Sequence, residues 1–325
     1  KQFAKDFMAP HNIPTAAYKV FRGDYYAEVL AYVDVHNQYP IVLKADGLAG
    51  GKGVLIPENR EELLAGLEEL RRGSLQAAAQ TLVIEEFMPG EEASVFALCD
   101  GEHFEIMGTA QDHKRQFDGD KGPNTGGMGS YSPSPLLAED MLNSVSETII
   151  APTIAGMAAE GNPYKGFLYV GLMMTSAGPK VVEYNCRFGD PECQVVIPRL
   201  RSDLLTHLVQ STRGELLGED IVFDQQYRTT VVLVSGGYPV SYDKGFPIFG
   251  LDELEKVEAV QVFHAGTKDQ DGQLCTAGGR VLNVVGTGPT LQESISTTYK
   301  GLESISFEGM FYRKDIGAKG LNHVS

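Results

Sequence analysis

The sequence predicts an α+β protein of two or more lobes, with a smaller α+β domain towards its C-terminal end. Three observations predict it. At 325 residues the chain is long enough to bury more than one core. Short apolar runs of β type are mixed along the chain with stretches whose leucines, isoleucines and methionines recur at helical spacing. From about residue 218 the texture changes to short β runs separated by glycine-rich turns, which sets that part of the chain apart.

Lys1 to Met8 reads as the inside of an amphipathic helix with neither an initiator methionine nor an obvious cap, so a segment upstream of it is expected. Ile41 to Ala45 and Gly53 to Ile56 are β-type runs. The three glycines between Asp46 and Lys52 make them a hairpin-like pair with a flexible loop. Asn59 to Arg72 carries Leu63, Leu64, Leu67 and Leu70 at helical spacing, and Gly73 ends it. Thr81 to Ile84 is a strand that runs into Glu85-Glu86-Phe87-Met88-Pro89-Gly90, and Ala93 to Leu98 with Phe104 to Gly108 form a further strand pair. Residues 111 to 135 are rich in glycine and proline with almost no apolar periodicity. A long loop is expected there, and such a loop inside a compact domain is functional or disordered. A long helix is expected from about 138 to 160, with Met141, Val145, Ile149 and Met157 on one side. Leu168 to Thr175 and Lys180 to Asn185 pair as strands, and a helix from Ser202 to Arg213 closes the unit. Beyond it, Thr229 to Val234, Ala259 to His264 and Arg280 to Val285 are strands and Thr290 to Leu302 is a helix.

The composition, 42% hydrophobic and 22% charged, is that of an ordinary globular protein. With 27 basic against 43 acidic residues the net charge is −16. That excludes a sequence-independent binder of nucleic acid or anionic membrane, both of which need a basic field, and leaves local basic clusters to serve small anions. No apolar run approaches the roughly 20 residues that span a bilayer, and no secretory signal is visible. Cys99, Cys186, Cys193 and Cys275 form no C-x-x-C pair and read as reduced thiols of a cytoplasmic protein. The seven histidines lack metal-ligand spacing, so zinc is not expected.

The run from Val181 to Glu192 carries the densest chemistry. Alternate side chains of a strand share a face, so Glu183, Asn185 and Arg187 are expected to project together. Two oxygen donors beside a guanidinium suit Mg²⁺, which shares its shell with phosphate oxygens, and suit the phosphates themselves. The cluster reads as a metal–nucleotide site.

Gly47-Leu48-Ala49-Gly50-Gly51-Lys52-Gly53 is similar to a Walker A loop but departs from it. Only three residues separate Gly47 from Gly51-Lys52, and Gly53 stands where a metal-binding hydroxyl belongs. The loop joins two strands and opens no helix, so no helix dipole meets the phosphate. What remains is a set of backbone N–H groups with Lys52, able to fold over a polyphosphate, or else a plain flexible turn. Lys44, inside an apolar strand, is either a solvated edge lysine or a charge that reaches phosphates from the sheet. Glu85-Glu86-Phe87-Met88 with Gly90-Glu91-Glu92 ends a strand. Its unwinding exposes backbone groups suited to an adenine edge and a carboxylate suited to ribose hydroxyls, the plain alternative being acidic residues on a solvated turn.

In this order, followed by the Glu-x-Asn strand, these elements resemble the ATP-grasp superfamily. More closely, the chain resembles the phosphoribosylamine–glycine ligase (glycinamide ribonucleotide synthetase) family. Lys44 to Ala49 with Gly51 to Val54, Glu85 to Phe87 with Gly90 to Ser94, Asp112-His113-Lys114-Arg115, Gly122 to Gly129 and Asn185 to Glu192 carry the resemblance. Phe263 to Thr267, Gly278 to Val281 and Tyr312 to Gly317 extend it, so that it covers Lys1 to about Gly320.

The resemblance implies two α+β lobes gripping ATP within residues 1–217, a small lid lobe inserted at about 18–85, and a C-terminal ligase domain at 218–325. It implies an ATP-dependent carbon–nitrogen ligase of de novo purine biosynthesis. ATP phosphorylates glycine, 5-phosphoribosylamine attacks the glycyl phosphate, and glycinamide ribonucleotide, ADP and phosphate result. Bringing a γ-phosphoryl group to a carboxylate sets like charges together, so metal and cationic side chains must offset the repulsion. By position, Glu183 and Asn185 hold Mg²⁺ or Mn²⁺ together with at least one further carboxylate. Lys1 and Lys44 contact ATP phosphates under a lid of Gly50, Gly51, Lys52 and Gly53. Glu85, Glu86, Phe87 and Met88 surround adenine, and Glu92 holds the ribose. Arg187 meets the reacting phosphoryl or the glycine carboxylate and is, with Lys44, the catalytic candidate. Lys114 and Arg115 recognise the anionic substrate, while Asn124, Gly126, Gly127 and Met128 belong to a loop that closes over the acceptor site. Asp190 and Glu192 hold a substrate amine, or cap a helix and orient Arg187. Arg280 and Arg313 reach the phosphoribosyl phosphate or form structural ion pairs.

The family carries a further α/β domain ahead of this region that helps to hold the phosphoribosylamine, so these residues alone are expected to be partly competent. The implied partners are ATP, glycine and 5-phosphoribosylamine, with other purine-pathway enzymes as macromolecular ones and neither nucleic acid nor membrane. Two other functions stay open. A non-catalytic ATP-binding module is disfavoured by intact Glu183, Asn185, Arg187 and Lys44. Another ATP-grasp enzyme, such as a biotin-carboxylase-like one, is disfavoured by Asp112 to Arg115 and Asn124 to Gly129.

Overall fold

A computed structural model describes residues 1–47, 53–72, 77–216, 221–254, 257 and 259–324. After the helix Gln2–Met8, a first sheet is built from β1 (Tyr18–Arg22), β2 (Ile41–Ala45), β3 (Val54–Leu55) and β4 (Thr81–Glu86), in the order β1-β4-β2-β3. Leu43 and Ala45 of β2 and Leu82 and Ile84 of β4 turn to one face, where the helix Arg60–Arg72 lays down Leu63, Leu67 and Leu70 at i, i+4 and i+7. Each of these three leucines is fully buried, a gain of about 1.5–3 kcal/mol apiece. Lys44 and Glu85 lie on the other face of this sheet, towards the rest of the molecule. The predicted hairpin exists, since β2 pairs with β3 through Leu43–Leu55 and Lys44–Val54. Residues 48–52 of its loop and the predicted helix stop at Gly73 lie outside the described residues.

An eight-stranded sheet forms the body of the protein. It uses β5 (Glu91–Asp100), β6 (Phe104–Asp112), β9 (Gly129–Ser132), β10 (Lys165–Thr175), β11 (Gly178–Asn185), β12 (Tyr227–Val234), β13 (Val260–His264) and β16 (Arg280–Gly288), in the order β11-β10-β5-β6-β9-β12-β16-β13. Two small hairpins lie outside it, β7 (Arg115–Phe117) with β8 (Lys121–Asn124) and β14 (Thr267–Gln270) with β15 (Gln273–Thr276). From Ala93 onward β5 is buried on both faces, as its near-continuous apolar run requires. Val95, Ala97 and Cys99 meet Val145, Ile149 and Ile154 on one side, while Phe96 and Leu98 meet Met107, Tyr169 and Val196 on the other.

Two expectations are corrected here. The helix expected over 138–160 is not uniform: Glu139–Val145 and Ala151–Ala159 flank a π-helical turn at Ser146–Ile150. Pro152 has no N–H to return to the preceding turn, and the ladder widens just ahead of it. Residues 111–135 are not one loop, because they supply the end of β6, the β7–β8 hairpin and β9. β9 pairs with β6 on one side and with β12 on the other, Thr230 facing Ser130 and Arg228 facing Ser132. That second pairing is formed by residues about a hundred positions away, which no local period can reveal.

The C-terminal part continues the same sheet through β12, β16 and β13, with the helix Leu291–Leu302 laid across it. Thr290 caps that helix by accepting from Glu293 N at 3.2 Å. The helix sits close because Gly286 of β16 offers no Cβ, which would stand 2.4 Å from Thr298 N. The boundary expected at 217/218 lies outside the described residues. Among the described residues, no helix is long and apolar enough to cross a membrane.

Candidate functional site

A cleft of about 580 Å³ opens between the four-stranded sheet and the body, lined by Lys44 and Val54 on one side and by Lys114, Glu183 and Arg187 on the other. A second cavity, about 320 Å³, lies inside the small lobe between Tyr25, Leu67 and Gln80 and shares no residue with it.

The cleft begins with a break in β11. The β10–β11 register pairs Gly171 with Glu183 but Leu172 with Val181, so Val182 is an extra residue, a β-bulge. The bulge has two consequences. Val181 packs in the core, while Glu183 and Asn185 turn out to the cleft. The freed carbonyl of Val182 accepts from Lys44 Nζ at 3.2 Å. A small-lobe lysine is thereby anchored one residue from Glu183. Asn185 Nδ2 donates to Glu183 Oε1 at 3.4 Å, which places the two expected metal ligands side by side. Arg187 follows beyond the end of the strand, lines the cleft and donates to Phe188 O at 2.6 Å.

The donor set fits a hard cation that completes its shell with phosphate and water oxygens. Among the described residues, no group of three or more His, Cys, Asp or Glu side chains forms a cage. The neighbouring strand supplies no further carboxylate opposite Glu183, because Gly171 stands there.

Lys44 is not a solvated edge lysine. It is buried, and Glu85 Oε2 accepts from it at 2.9 Å and from Lys5 Nζ at 3.0 Å. Lys5 also donates to Thr15 Oγ1 at 2.7 Å, whose hydroxyl donates to Val181 O. Burial pulls the Lys5 pKa down against the upward pull of Glu85. Glu85 Oε1 is buried without a hydrogen-bond partner among the described residues. Sequence reasoning missed Lys5, although its i, i+3 spacing to Met8 puts it on the buried face of the first helix. Lys1 lies beside the start of the glycine loop, with Nζ 3.4 Å from Gly47 O, and burial lowers its pKa while Asp46 and Glu183 oppose the fall. Gly50, Gly51 and Lys52 fall outside the described residues, and Gly53 O accepts from Ala45 N at 2.8 Å.

Phe87, Met88 and Glu92 line the cleft as expected of neighbours in one hinge. The Glu86 carboxylate does not join the cleft: strand alternation turns it away from Glu85, to Lys180 Nζ at 3.2 Å, so the expectation for Glu86 narrows to its backbone. Glu92 accepts from Lys114 Nζ at 2.5 Å. Burial works against both charges, yet each holds the other ionised, so Glu92 lies below and Lys114 well above its ordinary pKa.

Elsewhere on the cleft Arg115 and Asn124 face each other across the β7–β8 hairpin and both line it, Arg115 donating to Gly122 O at 2.8 Å. Gly126 and Gly127 follow, Gly127 pressed between Asp112 and Pro191. Met128 is a correction. Its side chain is fully buried in the C-terminal core with Val232 and Leu233, because Val232 N binds its carbonyl and draws this end of the loop into the sheet. Arg280 is another. Both of its Nη atoms are engaged by protein acceptors, Gly126 O and Asp190 O at 2.7 Å and Asp190 Oδ2 at 2.9 Å. Arg313 is structural, fully buried and paired with Asp315 and Asp120.

Asp112 was named in the sequence only as part of the Asp112-His113-Lys114-Arg115 motif and given no role of its own. It lines the cleft with one carboxylate oxygen bound to His113 N at 2.7 Å. Burial and then the Glu192 carboxyl push its pKa well up, and burial likewise raises that of Glu192. The two sit 80 positions apart in sequence, and only the fold pairs them. Glu192 is buried beneath Gly189, while Asp190 accepts from Gln194 Nε2 at 3.0 Å as well as from Arg280.

Residues 1–193 match the family model described as phosphoribosylglycinamide synthetase, ATP-grasp (A) domain, and residues 228–319 match the C domain of the same synthetase. The phosphoribosylamine–glycine ligase of Caulobacter vibrioides is 49% identical over 323 residues, 99% of this chain and 75% of that protein. The crystal structure of the phosphoribosylamine–glycine ligase from Thermotoga maritima superposes with a TM-score of 0.84 at 37% identity, covering 97% of this chain and 78% of that one. A biotin carboxylase from Campylobacter jejuni, solved as its beta-gamma-ATP complex, shares the fold alone, with a TM-score of 0.71 at 17% identity and coverage of 94% and 66%.

Proposed function

This chain belongs to the phosphoribosylglycinamide synthetase family, and from that premise we propose that its cleft joins glycine to 5-phosphoribosylamine at the expense of ATP. It has the ATP-grasp fold and is an ATP-dependent carbon–nitrogen ligase of purine biosynthesis. The observation that carries the reading is the contact of Lys44 with Val182 O, which ties a cation of one lobe to the strand bearing Glu183 and Asn185.

ATP lies between the lobes, with adenine against Phe87, Met88 and the backbone at Glu85–Glu86, and ribose hydroxyls on Glu92. Lys44 and Lys1 meet the phosphates, Lys44 held in place by Glu85 and Val182 O. Glu183 and Asn185 would hold a divalent cation, Mg²⁺ or Mn²⁺, which would neutralise phosphate charge when bound. Arg187 orients the glycine carboxylate towards the γ-phosphoryl group. A carboxylate oxygen of glycine bonds to phosphorus as ADP leaves. The amine of phosphoribosylamine then bonds to the acyl carbon, the carbon–oxygen bond to phosphate breaks as phosphate leaves, and the amine's proton passes to solvent. Lys114 and Arg115 take the anionic acceptor, and Asp112 and Glu192 face the amines. The division into an ATP-grasp region to 217, with its inserted lobe at about 18–85, and a ligase domain from 218 is part of this proposal. So is a cytoplasmic location, which four free cysteines suit.

The test is ADP release by the protein in its natural full length, given ATP, Mg²⁺, glycine and fresh phosphoribosylamine. Turnover that depends on both glycine and the amine supports the reading. ATP binding with no turnover would favour a non-catalytic module instead.

A further inference from the structure

We propose that Arg280 is a positioning residue, a strap that holds the acceptor loop shut over the acyl phosphate and keeps water from it. The inference rests on the ligase reading above and goes beyond it in assigning Arg280 to the retention of the intermediate.

Arg280 stands at the start of β16, far in sequence from the two segments it touches. Its Nη1 donates to Gly126 O and to Asp190 O, each at 2.7 Å, and its Nη2 donates to Asp190 Oδ2 at 2.9 Å. One planar fork thus joins the acceptor loop to the turn that follows the metal-ligand strand. Only a guanidinium presents donors in that geometry; an ammonium is a point charge and holds fewer of the three acceptors at once. Tyr238 adds a second tie from the same C-terminal region, its hydroxyl accepting from Gly126 N at 2.9 Å. The backbone leading into Arg280 is fitted to that tyrosine, since a Cβ on Gly279 would stand 2.3 Å from the Tyr238 ring.

The other end of the loop is tied to the chemistry. Thr125 donates to Lys114 O through N at 2.8 Å and through Oγ1 at 2.9 Å, and Lys114 lines the cleft beside Glu92. Gly126 also lines the cleft, and a Cβ there would press on the guanidinium at 3.1 Å. The loop therefore runs from a cleft lysine to a strap bound through Arg280 and Tyr238. With its Nη atoms committed to protein oxygens, Arg280 acts on the reaction through the loop.

An acyl phosphate needs such a cover. If water enters, its oxygen bonds to the acyl carbon, the carbon–oxygen bond to phosphate breaks, and phosphate departs with the electron pair. Glycine is regenerated, the proton passes to solvent and ATP has been spent without ligation. Release of the strap should uncouple ADP formation from product formation rather than slow both equally.

The experiment measures ADP and ligated product in the same reaction. With the natural protein, equal amounts are expected. Arg280→Ala should release roughly three- to tenfold more ADP than product at an unchanged KM for ATP. Added guanidinium ion should restore coupling, Arg280→Lys should fall between, and Asp190→Asn should behave like Arg280→Ala with no further loss in the double variant. Tyr238→Phe, which deletes one hydroxyl, should uncouple to a smaller degree and serves if Arg280→Ala fails to fold. Equal ADP and product from these variants, or a proportional loss of both without guanidinium rescue, would overturn the strap. Absence of glycine-dependent ADP from the natural protein would instead overturn the ligase reading.

Discussion

Gly171 stands opposite Glu183 at the bulge between β10 and β11, and a Cβ built on it would lie 3.3 Å from Glu183 Cγ. The glycine leaves the carboxylate room to turn into the cleft. Gly171→Val fills that room and should displace Glu183, weakening divalent-cation binding about tenfold, while Glu183→Gln should cost roughly a hundredfold in metal-dependent turnover. Mn²⁺ titration checks both, with nucleotide affinity as the control. An unaltered Mn²⁺ affinity in Gly171→Val would show that the bulge does not set the carboxylate.

Lys5 and Lys44 share one carboxylate oxygen, and the side chains of Lys5 and Glu85 are both 2% exposed. Removing Glu85 by substitution with Gln leaves two buried ammonium groups facing each other, an expected loss of about 3–5 kcal/mol. Lys5→Met leaves Glu85 still paired with Lys44 and should cost roughly half as much. Urea unfolding of the two variants measures the order. Equal losses would mean that Lys44 alone does not sustain the charge.

Much of this framework was legible in the chain. Apolar runs announced β4, β10 and β11, and the spacing of Glu183 and Asn185 announced a shared face. That inference holds because both residues lie beyond the bulge at Val182; one residue earlier, the same alternation would have aimed Glu183 at the core beside Val181. The rest depended on distant pairings. Lys5 acquires its meaning from Glu85, Asp112 from Glu192, and β9 from β12. Met128 sits in a motif rich in glycine, yet the sheet bond from Val232 carries it into the core. A motif marks a segment; it does not tell which of its side chains turn towards the cleft.

Gly127 has φ +108°, and a Cβ there would stand 2.4 Å from Pro191 Cδ and 2.9 Å from Asp112 Oδ1. Gly127→Ala meets both a backbone and a steric penalty, together about 1–3 kcal/mol. The loop should yield before the sheet does and move away from Asp112. Ligation should fall roughly tenfold or more with ATP affinity retained. Steady-state kinetics read both quantities, and wild-type ligation by the alanine variant would refute the account.

His113 is a buried neutral base whose state can be read from its partners. Its Nε2 accepts from Gly317 N at 3.3 Å, which leaves Nδ1 to carry the proton towards Gly129 O at 3.3 Å. Burial first, and the Arg313 guanidinium second, push its pKa down to about 4 from 6.5. Protonation would set a second N–H against that of Gly317. The unfolded chain takes up a proton near pH 6.5 that the fold refuses until about pH 4, so stability is lost as pH falls between those values and no further below them. The depression corresponds to about 3 kcal/mol. His113→Gln removes this titration, so its unfolding free energy should fall less than that of the natural protein between pH 7.5 and pH 4.5, by roughly 2–3 kcal/mol. Urea midpoints at the two pH values give the difference. Parallel losses in the two proteins would place the acid sensitivity elsewhere.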